Sequence, residues 1–525
     1  MLPEEPEDFC LYDTTLRDGA QQEGIQLSVA DKLRIVDLLD GFGIPFIEGG
    51  WPGSNTKDTQ FFEAVRAKRL HQAKLVAFGA TRKAGGTAAK DPLLRALFDA
   101  GTEWVCLVAK SHPGHVTQAL KTSLDENLAM VADSVSWLIK HDRQVIIDAE
   151  HYFEGFLEDP AYARQVAKTA AEAGASWVVL CDTNGGMLPA QISDIVSRTL
   201  TVGARIGIHC HNDSGCALAN SLAAVDAGAA MVQGTINGYG ERTGNLDLVP
   251  LIGDLHLKYG WQLLTAEQLS SMTHVSNAIA DITGQPRQPR QPYVGVSAFA
   301  HKAGLHASAL KVNENLYQHI VPEAVGNHMR MLISDASGRA NVEIKARELG
   351  LDLSADGVVN AVVTAVKQRE SIGYSYEAAD ASFELLSLDA AGSLAKPFDV
   401  ERWRVLTVGG DEANTSEATI ALHVGDERLV RVGEGNGPVD ALGDGLRQGL
   451  LASFPHVAAY ELVDYRVRIL DTGRGTDATV RVLIDTTDGG DRRWTTVGVG
   501  TNVIEASWEA LADAYLYGLV KGYGR

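Results

Sequence analysis

Eight short apolar segments, each running into glycine or polar residues, recur about 30 residues apart through the first half of the chain. They are FCLYDTTLRDG (9–19), FIEGGWPGSN (46–55), KLVAFGATRK (74–83), WVCLVAKSH (104–112), QVIIDAEHY (144–152), WVVLCDTNGG (177–186), RIGIHCHND (205–213) and MVQGTINGYGERTGN (231–245). Stretches of helical period separate them. Ser28 to Phe42 opens on a capping serine and carries Leu33, Val36 and Leu39 on one face, and Ser123 to His141 and Asp159 to Gly174 behave alike. Several of these helices close on glycine a residue or two before the next strand, in GFGIPF, AGTEWV, AGASWV and AGAAMV. Eight consecutive strand–helix units imply an α/β fold closed as a (β/α)8 TIM barrel over about 1–260. The competing architecture, an open doubly wound sheet, gives eight consecutive units less readily, and no GxGxxG follows the first strand.

A barrel of that length leaves half of the 525 residues over, so two or three domains are expected. The content, 45% apolar and 22% charged, is that of an ordinary globular protein. A formal charge of -21, from 46 basic and 67 acidic residues, argues against nucleic acid or an anionic membrane as partner. The N-terminus MLPEEPEDF lacks a basic region followed by an apolar core, and no apolar run reaches the ~18 residues of a membrane span. A cytoplasmic location is expected. The five cysteines form no CxxC pair and sit mostly in strand-like segments, which favours buried free thiols in a reducing compartment.

In a barrel of this kind the carboxyl ends of the strands converge on one mouth. The tails there supply Arg17, Asp18, Glu150, Asp182, Thr183, His209, His211, Asn212, Asp213, Glu241, Arg242 and Asn245. Taken singly, an aspartate after a strand reads as a helix cap and Asn-Gly as a turn. The pair His209 and His211 is different, because residues i and i+2 of a strand face one side while Cys210 points away. With a carboxylate from Asp18 and the Asn245 amide, the two imidazoles make a mixed nitrogen and oxygen donor set suited to Mg, Mn or Zn in an open site. Barrel hydrolases that use HxH typically carry it on the first strand, which here holds no histidine.

DTTLRDG (13–19), HCHND (209–213) and GYGERTGN (238–245) together resemble the signatures of the barrel metallolyase superfamily of Claisen-condensing enzymes. Its members include the isopropylmalate, homocitrate and citramalate synthases, with hydroxymethylglutaryl-CoA lyase as a shorter relative. IEGGWPGSN (47–55), IDAEHYFEG (147–155) and VSAFAHKAGLHASA (296–309) most resemble the bacterial citramalate synthase branch. An isopropylmalate synthase would more usually read AFAHESGIHQDG at the last of these.

The resemblance implies an acyltransferase that converts the acyl group into alkyl on transfer. It would condense acetyl-CoA with pyruvate and hydrolyse the product to (R)-citramalate and CoA, within branched-chain amino acid and isoleucine biosynthesis. The alternatives it leaves are 2-isopropylmalate synthase and, further off, a lyase working in the cleavage direction. It implies a divalent ion held by Asp18, His209 and His211, with Asn245 as direct ligand or neighbour of the site, and Arg17 stabilising the oxygen on which charge develops. Thr183 matches a threonine that contacts the substrate carboxylate. Glu150 and His306 match the machinery that deprotonates acetyl-CoA, with His301 as a weaker alternative, and Asn315 and Tyr317 match residues that close over the site.

These readings divide the chain into a catalytic barrel (1–283), a linker with small helical subdomains (284–397) and a C-terminal α+β domain (398–525). GQPRQPRQPYVG (284–295) reads as an extended linker because of its alternating prolines, with Arg287 and Arg290 as solvated charge. Beyond Pro397, WRVLTVGG, EATIALHVGDERLVRVGEG, DYRVRILD and DATVRVLID alternate with period two, and two helical stretches follow strands. The domain resembles the regulatory domain of isopropylmalate synthases, including GNGPVDA (435–441). That implies a homodimer, and isoleucine as allosteric inhibitor of a citramalate synthase.

Overall fold

The computed structural model describes residues 4–409, 415–471 and 477–524, with only the backbone at Glu314. They form two compact units, residues 1–299 with 320–328, and residues 300–319 with 329–525.

The first unit is built on strands β1 (Cys10–Asp13), β2 (Phe46–Gly50), β3 (Lys74–Ala80), β4 (Trp104–Lys110), β5 (Gln144–Glu150), β6 (Trp177–Asp182), β7 (Arg205–Cys210) and β8 (Met231–Gly234). They pair in sequence order, and β1 also pairs in parallel with β8, from Cys10 opposite Met231 to Asp13 opposite Gly234, which closes the barrel. Period-two alternation sorts their side chains. Tyr12, Phe46, Val76, Phe78, Trp104, Ile146, Trp177 and Val179 fill the interior, and the intervening Ala77, Val105, Leu107, Val145 and Ile147 pack under the helices. Each such side chain contributes roughly 1.5–3 kcal/mol by leaving water.

The expected helices form with the expected signals. Helix Val29–Phe42 begins at a capping box between Ser28 and Asp31, and it ends at Gly43, whose φ of 103° lets the chain turn back into β2. Its buried stripe is Lys32, Ile35, Val36 and Leu39, with Leu33 only half-buried. Helices Leu124–Ile139 and Pro160–Glu172 are capped by Ser123 and Asp159.

The proline-rich stretch departs from its expectation. Residues 285–288 run without turns, as expected of the 284–295 linker, but 289–299 turn back within the barrel's unit. Tyr293 is buried, its ring lying against Gly253 and its hydroxyl donating to Asp254 at 2.6 Å. Gln291 donates to Asn237 at 3.0 Å and Asp247 at 2.8 Å, while Arg287 and Arg290 stand exposed as expected, Arg287 in a surface ion pair with Asp281 at 2.5 Å. The burial of one aromatic ring outweighs the intrinsic preference of the prolines.

The second unit begins with the short pair β9 (Ala300–His301) and β10 (Arg330–Met331) and helices Gly304–Leu310, Arg339–Leu349, Val358–Ser371 and Asp380–Ala390. A motif of three antiparallel strands and a helix then occurs twice. Strands β11 (Phe398–Val408), β12 (Thr415–Val424) and β13 (Glu427–Gly435) precede helix Pro438–Leu450. Strands β14 (Glu461–Ile469), β15 (Val480–Thr487) and β16 (Arg493–Gly500) precede helix Val503–Lys521. In the first copy the helix lies so close to its sheet that a Cβ on Gly433 would come within 2.2 Å of the Gly445 backbone. No helix among the described residues is long and apolar enough to cross a membrane.

Candidate active site

The turn after β1 carries Arg17 and Asp18 into the barrel mouth. Asp13, fully buried, accepts the backbone N–H of Thr15 at 2.9 Å and its hydroxyl at 2.7 Å, while the N–H of Asp18 returns to the Thr14 carbonyl at 2.9 Å. Burial pushes the Asp13 carboxyl up to about 7 in spite of those hydrogen bonds. The turn therefore presents Arg17 and Asp18 from a rigid base.

Arg17 is fixed on two sides. Its Nε donates to Glu48 Oε1 at 2.5 Å, its Nη1 lies 3.2 Å from Asp18 Oδ2, and its guanidinium carbon sits 3.8 Å from the centre of the Phe78 ring. Glu48, in the middle of β2, is fully buried and also receives the hydroxyls of Tyr12 and, at 2.7 Å, Thr14. Beside Arg17 opens a cavity of about 430 Å³, lined among others by Leu16, Trp51, Ser54 and Asn55.

His209 is the penultimate residue of β7 and His211 follows the strand, their rings stacked with centroids 5.2 Å apart. Nδ1 of His209 lies 2.7 Å from Gln233 Oε1, and Gln233 Nε2 donates to Asp148 Oδ1 at 2.9 Å. Nε2 of His209 faces Asn245 Oδ1 at 2.8 Å and Asp18 Oδ2 at 3.4 Å. Nε2 of His211 is 3.9 Å from the same Asp18 oxygen, and its Nδ1 is buried without a hydrogen-bond partner. The Asn245 amide donates to the Tyr239 carbonyl at 3.0 Å, which turns its oxygen toward the histidines.

This geometry fits a cation. A carboxylate oxygen, an amide oxygen and two imidazole nitrogens converge, and the Asp18, His209 and His211 ligand atoms lie within 4.8 Å of one another. Burial opposes charge on all three residues, yet Arg17 and the two histidines hold the Asp18 carboxyl well below the usual carboxylate range. The His209 ring, against its burial, is pushed up to about 9 by Asp18, while burial and His209 push His211 down to about 4. With acceptors facing both nitrogens of His209, a metal ion would stand where the ring otherwise holds a proton. Two neighbouring groups, Asp148–Cys181–His209 and Glu48–Cys106–Asp148, also have clustered donor atoms. Burial drives both thiols far above their ordinary value, so they stay protonated and are poor ligands.

The remaining expected residues are spread wider. Glu150, at the end of β5, forms an ion pair with Lys110 at the end of β4. Thr183 Oγ accepts the N–H of His151 at 2.8 Å, which leaves its own O–H to donate, and its carbonyl accepts from Arg242 at 2.8 Å. His306, Asn315 and Tyr317 belong to the second unit, so Glu150 and His306 lie on different units. There the His306 ring stacks on that of Tyr317 with centroids 4.1 Å apart, and His301 lies 6.2 Å from His306. Sequence reasoning missed Glu48, Lys110, Asp148 and Gln233. The signal available was a polar residue within or ending an apolar strand, as in FIEGG, WVCLVAK, VIIDAE and MVQG.

Residues 8–279 match the HMGL-like family, 293–373 the homocitrate synthase post-HMGL domain-like family and 377–519 the LeuA allosteric (dimerisation) domain. The (R)-citramalate synthase of Streptomyces coelicolor is 57% identical over 98% of this chain and 97% of its own length. The chain belongs to the (R)-citramalate synthase family. A second member, from Synechocystis sp., is 48% identical over 97% of this chain and 96% of its own. The 2-isopropylmalate synthase of Methanocaldococcus jannaschii, covering 97% of the chain and 94% of itself, reaches only 30%. As an (R)-citramalate synthase family member, the chain has a barrel mouth with the oxygen and nitrogen donors that a divalent metal requires.

Proposed function

We propose that the chain condenses acetyl-CoA with pyruvate and hydrolyses the resulting thioester to (R)-citramalate and CoA. The observation that carries this reading is the convergence of Asp18, His209, His211 and Asn245 beside Arg17, in a chain 57% identical over 98% of its length to an (R)-citramalate synthase. Asp18, His209 and His211 would hold a divalent ion, Mg, Mn or Zn, with Asn245 Oδ1 completing the set. When bound, such an ion polarises the keto group of a 2-oxo acid as a Lewis acid.

The chain's own groups do the rest. Arg17, held between Glu48 and Phe78, keeps a permanent charge where negative charge develops on the keto oxygen, so no reorientation is needed during reaction. Thr183 donates its hydroxyl to the substrate carboxylate. Glu150, oriented by its ion pair with Lys110, and His306 serve as the groups that take the proton from the acetyl methyl. Tyr317, stacked on His306, restricts that ring, and Asn315 binds substrate beside it.

Free thiol released from acetyl-CoA, with pyruvate and 2-oxoisovalerate offered separately, tests the substrate. Pyruvate is expected to be favoured at least about tenfold in kcat/KM, since the bulk of the larger oxo acid must be accommodated by the same wall. Equal rates would overturn the assignment.

Domain boundaries at 283/284 and 397/398 accord with the first match ending at 279 and with β11 opening at Phe398, although the dimerisation-domain match begins earlier, at 377. That match supports a homodimer joined through residues 398–525. Isoleucine, as end product of the pathway a citramalate synthase feeds, is the proposed inhibitor acting there at a distance. Millimolar isoleucine is expected to lower turnover of the full chain, and unchanged turnover excludes it as effector. Five free cysteines and an acetyl-CoA substrate support a cytoplasmic enzyme in isoleucine biosynthesis.

A further inference from the structure

Between the metal ligands and the barrel floor lies a hydrogen-bonded chain that the proposed chemistry does not use. Asp148 of β5, Gln233 of β8 and His209 of β7 are linked by contacts of 2.9 and 2.7 Å, and all three are at most 4% exposed. β5 and β8 are not neighbours, since β6 and β7 stand between them, so the chain runs across the barrel interior.

A primary amide has a donor end and an acceptor end, and a carboxylate facing it selects the donor end. Asp148 therefore holds the Gln233 NH2, and the Gln233 oxygen is left facing Nδ1 of His209. An amide oxygen tolerates only an N–H there, because at 2.7 Å the opposite ring form would set lone pair directly against lone pair. In a neutral ring Nε2 then carries the lone pair, and Nε2 is the nitrogen that faces Asp18 and Asn245. Imidazole ligands commonly have their second nitrogen committed to an oxygen in this way.

We propose that Gln233, oriented by Asp148, is a positioning residue that commits Nε2 of His209 to the metal. The inference rests on the reading of Asp18, His209 and His211 as ligands. A packing role for Gln233 would need only its volume. A positioning role needs an acceptor at the end of the side chain.

The test titrates full-length, metal-stripped protein with Co2+, whose visible spectrum reports the ligand set. Wild type is expected to bind one ion per chain. Gln233→Met, of similar length but without the oxygen, is expected to bind about 10–100-fold more weakly. Gln233→Glu, which keeps an acceptor toward Nδ1, should recover most of that loss and the wild-type spectrum. Wild-type affinity in Gln233→Met, or equal weakening in both variants, overturns the inference. If Gln233→Met does not fold, Asp148→Ala carries the test, since freeing the amide should weaken binding, and unchanged affinity overturns it. Failure of the underlying reading looks different, because His209→Ala would then still bind stoichiometric Co2+.

Discussion

The barrel and the C-terminal domain treat the edges of their sheets in opposite ways. In the barrel β1 pairs with both β2 and β8, so every strand has two neighbours and both strand faces are covered. A polar side chain inside such a wall must find a partner within it, and Glu48, Asp148, Gln233 and His209 do so. The C-terminal domain is two separate three-stranded antiparallel sheets, each covered by a helix on one face. β14 is exposed along its whole length, and Leu462, Val463, Tyr465, Val467 and Ile469 stand out to solvent, as do Leu406, Val408, Val430 and Val432 in the other sheet. A closed sheet concentrates polar groups into a site, whereas an open one exposes apolar surface fit for a second copy of the chain.

The largest expected effect sharpens the barrel side. His209→Ala should remove metal binding and lower kcat/KM by at least about 10^3-fold, roughly 4 kcal/mol, with unchanged far-UV circular dichroism. Retained turnover in the stripped variant would place the chemistry elsewhere. Next comes the open face. Val467→Asp puts a charge into the exposed row of β14 and is expected to weaken the proposed dimer at least about tenfold by light scattering, ~1.4 kcal/mol or more, with the metal content unaffected. A dimer of unchanged affinity would break the contrast, since the open sheet would then not be the contact.

The effect confined to one end of the pH range comes last. Burial, and then the nearby Glu509, push the Asp513 carboxyl up to about 7. The folded protein thus takes up a proton that the unfolded chain, with an aspartate near ~4, releases. The stability linked to this group is complete below about pH 4 and is lost as pH rises through about 7. Asp513→Asn should therefore stabilise the second unit at pH 8, by on the order of 2 kcal/mol, and do little at pH 4. Equal shifts in melting temperature at both pH values would refute the cause.

The residues that were legible lie where local pattern decides. Arg17 and Asp18 follow an apolar strand, and His209 and His211 are two apart, which makes a shared side a matter of strand geometry. Glu48 and Gln233 sit inside apolar strands, and their roles depend on which strands become neighbours. The expectation of an extended linker over 284–295 fails at its C-terminal part for a related reason. Alternating prolines favour an extended chain, but the cavity wall that receives Tyr293 is made by a distant helix, at Gly253.

By itself the sequence determined the eight strand–helix units, their caps and glycine stops, the shared side of His209 and His211 and the change to antiparallel strands after residue 397. Each is a property of a short window, where backbone sterics and side-chain periodicity act. The tertiary structure decided which acceptor faces each nitrogen of His209, how Arg17 is clamped between Glu48 and Phe78, and which faces of the C-terminal sheets stay uncovered. The meeting of Asp18 with His209 depends on barrel closure, which brings β1 and β8, more than 200 residues apart, into register. No local signal can encode a hydrogen bond whose two ends are joined only when the sheet closes.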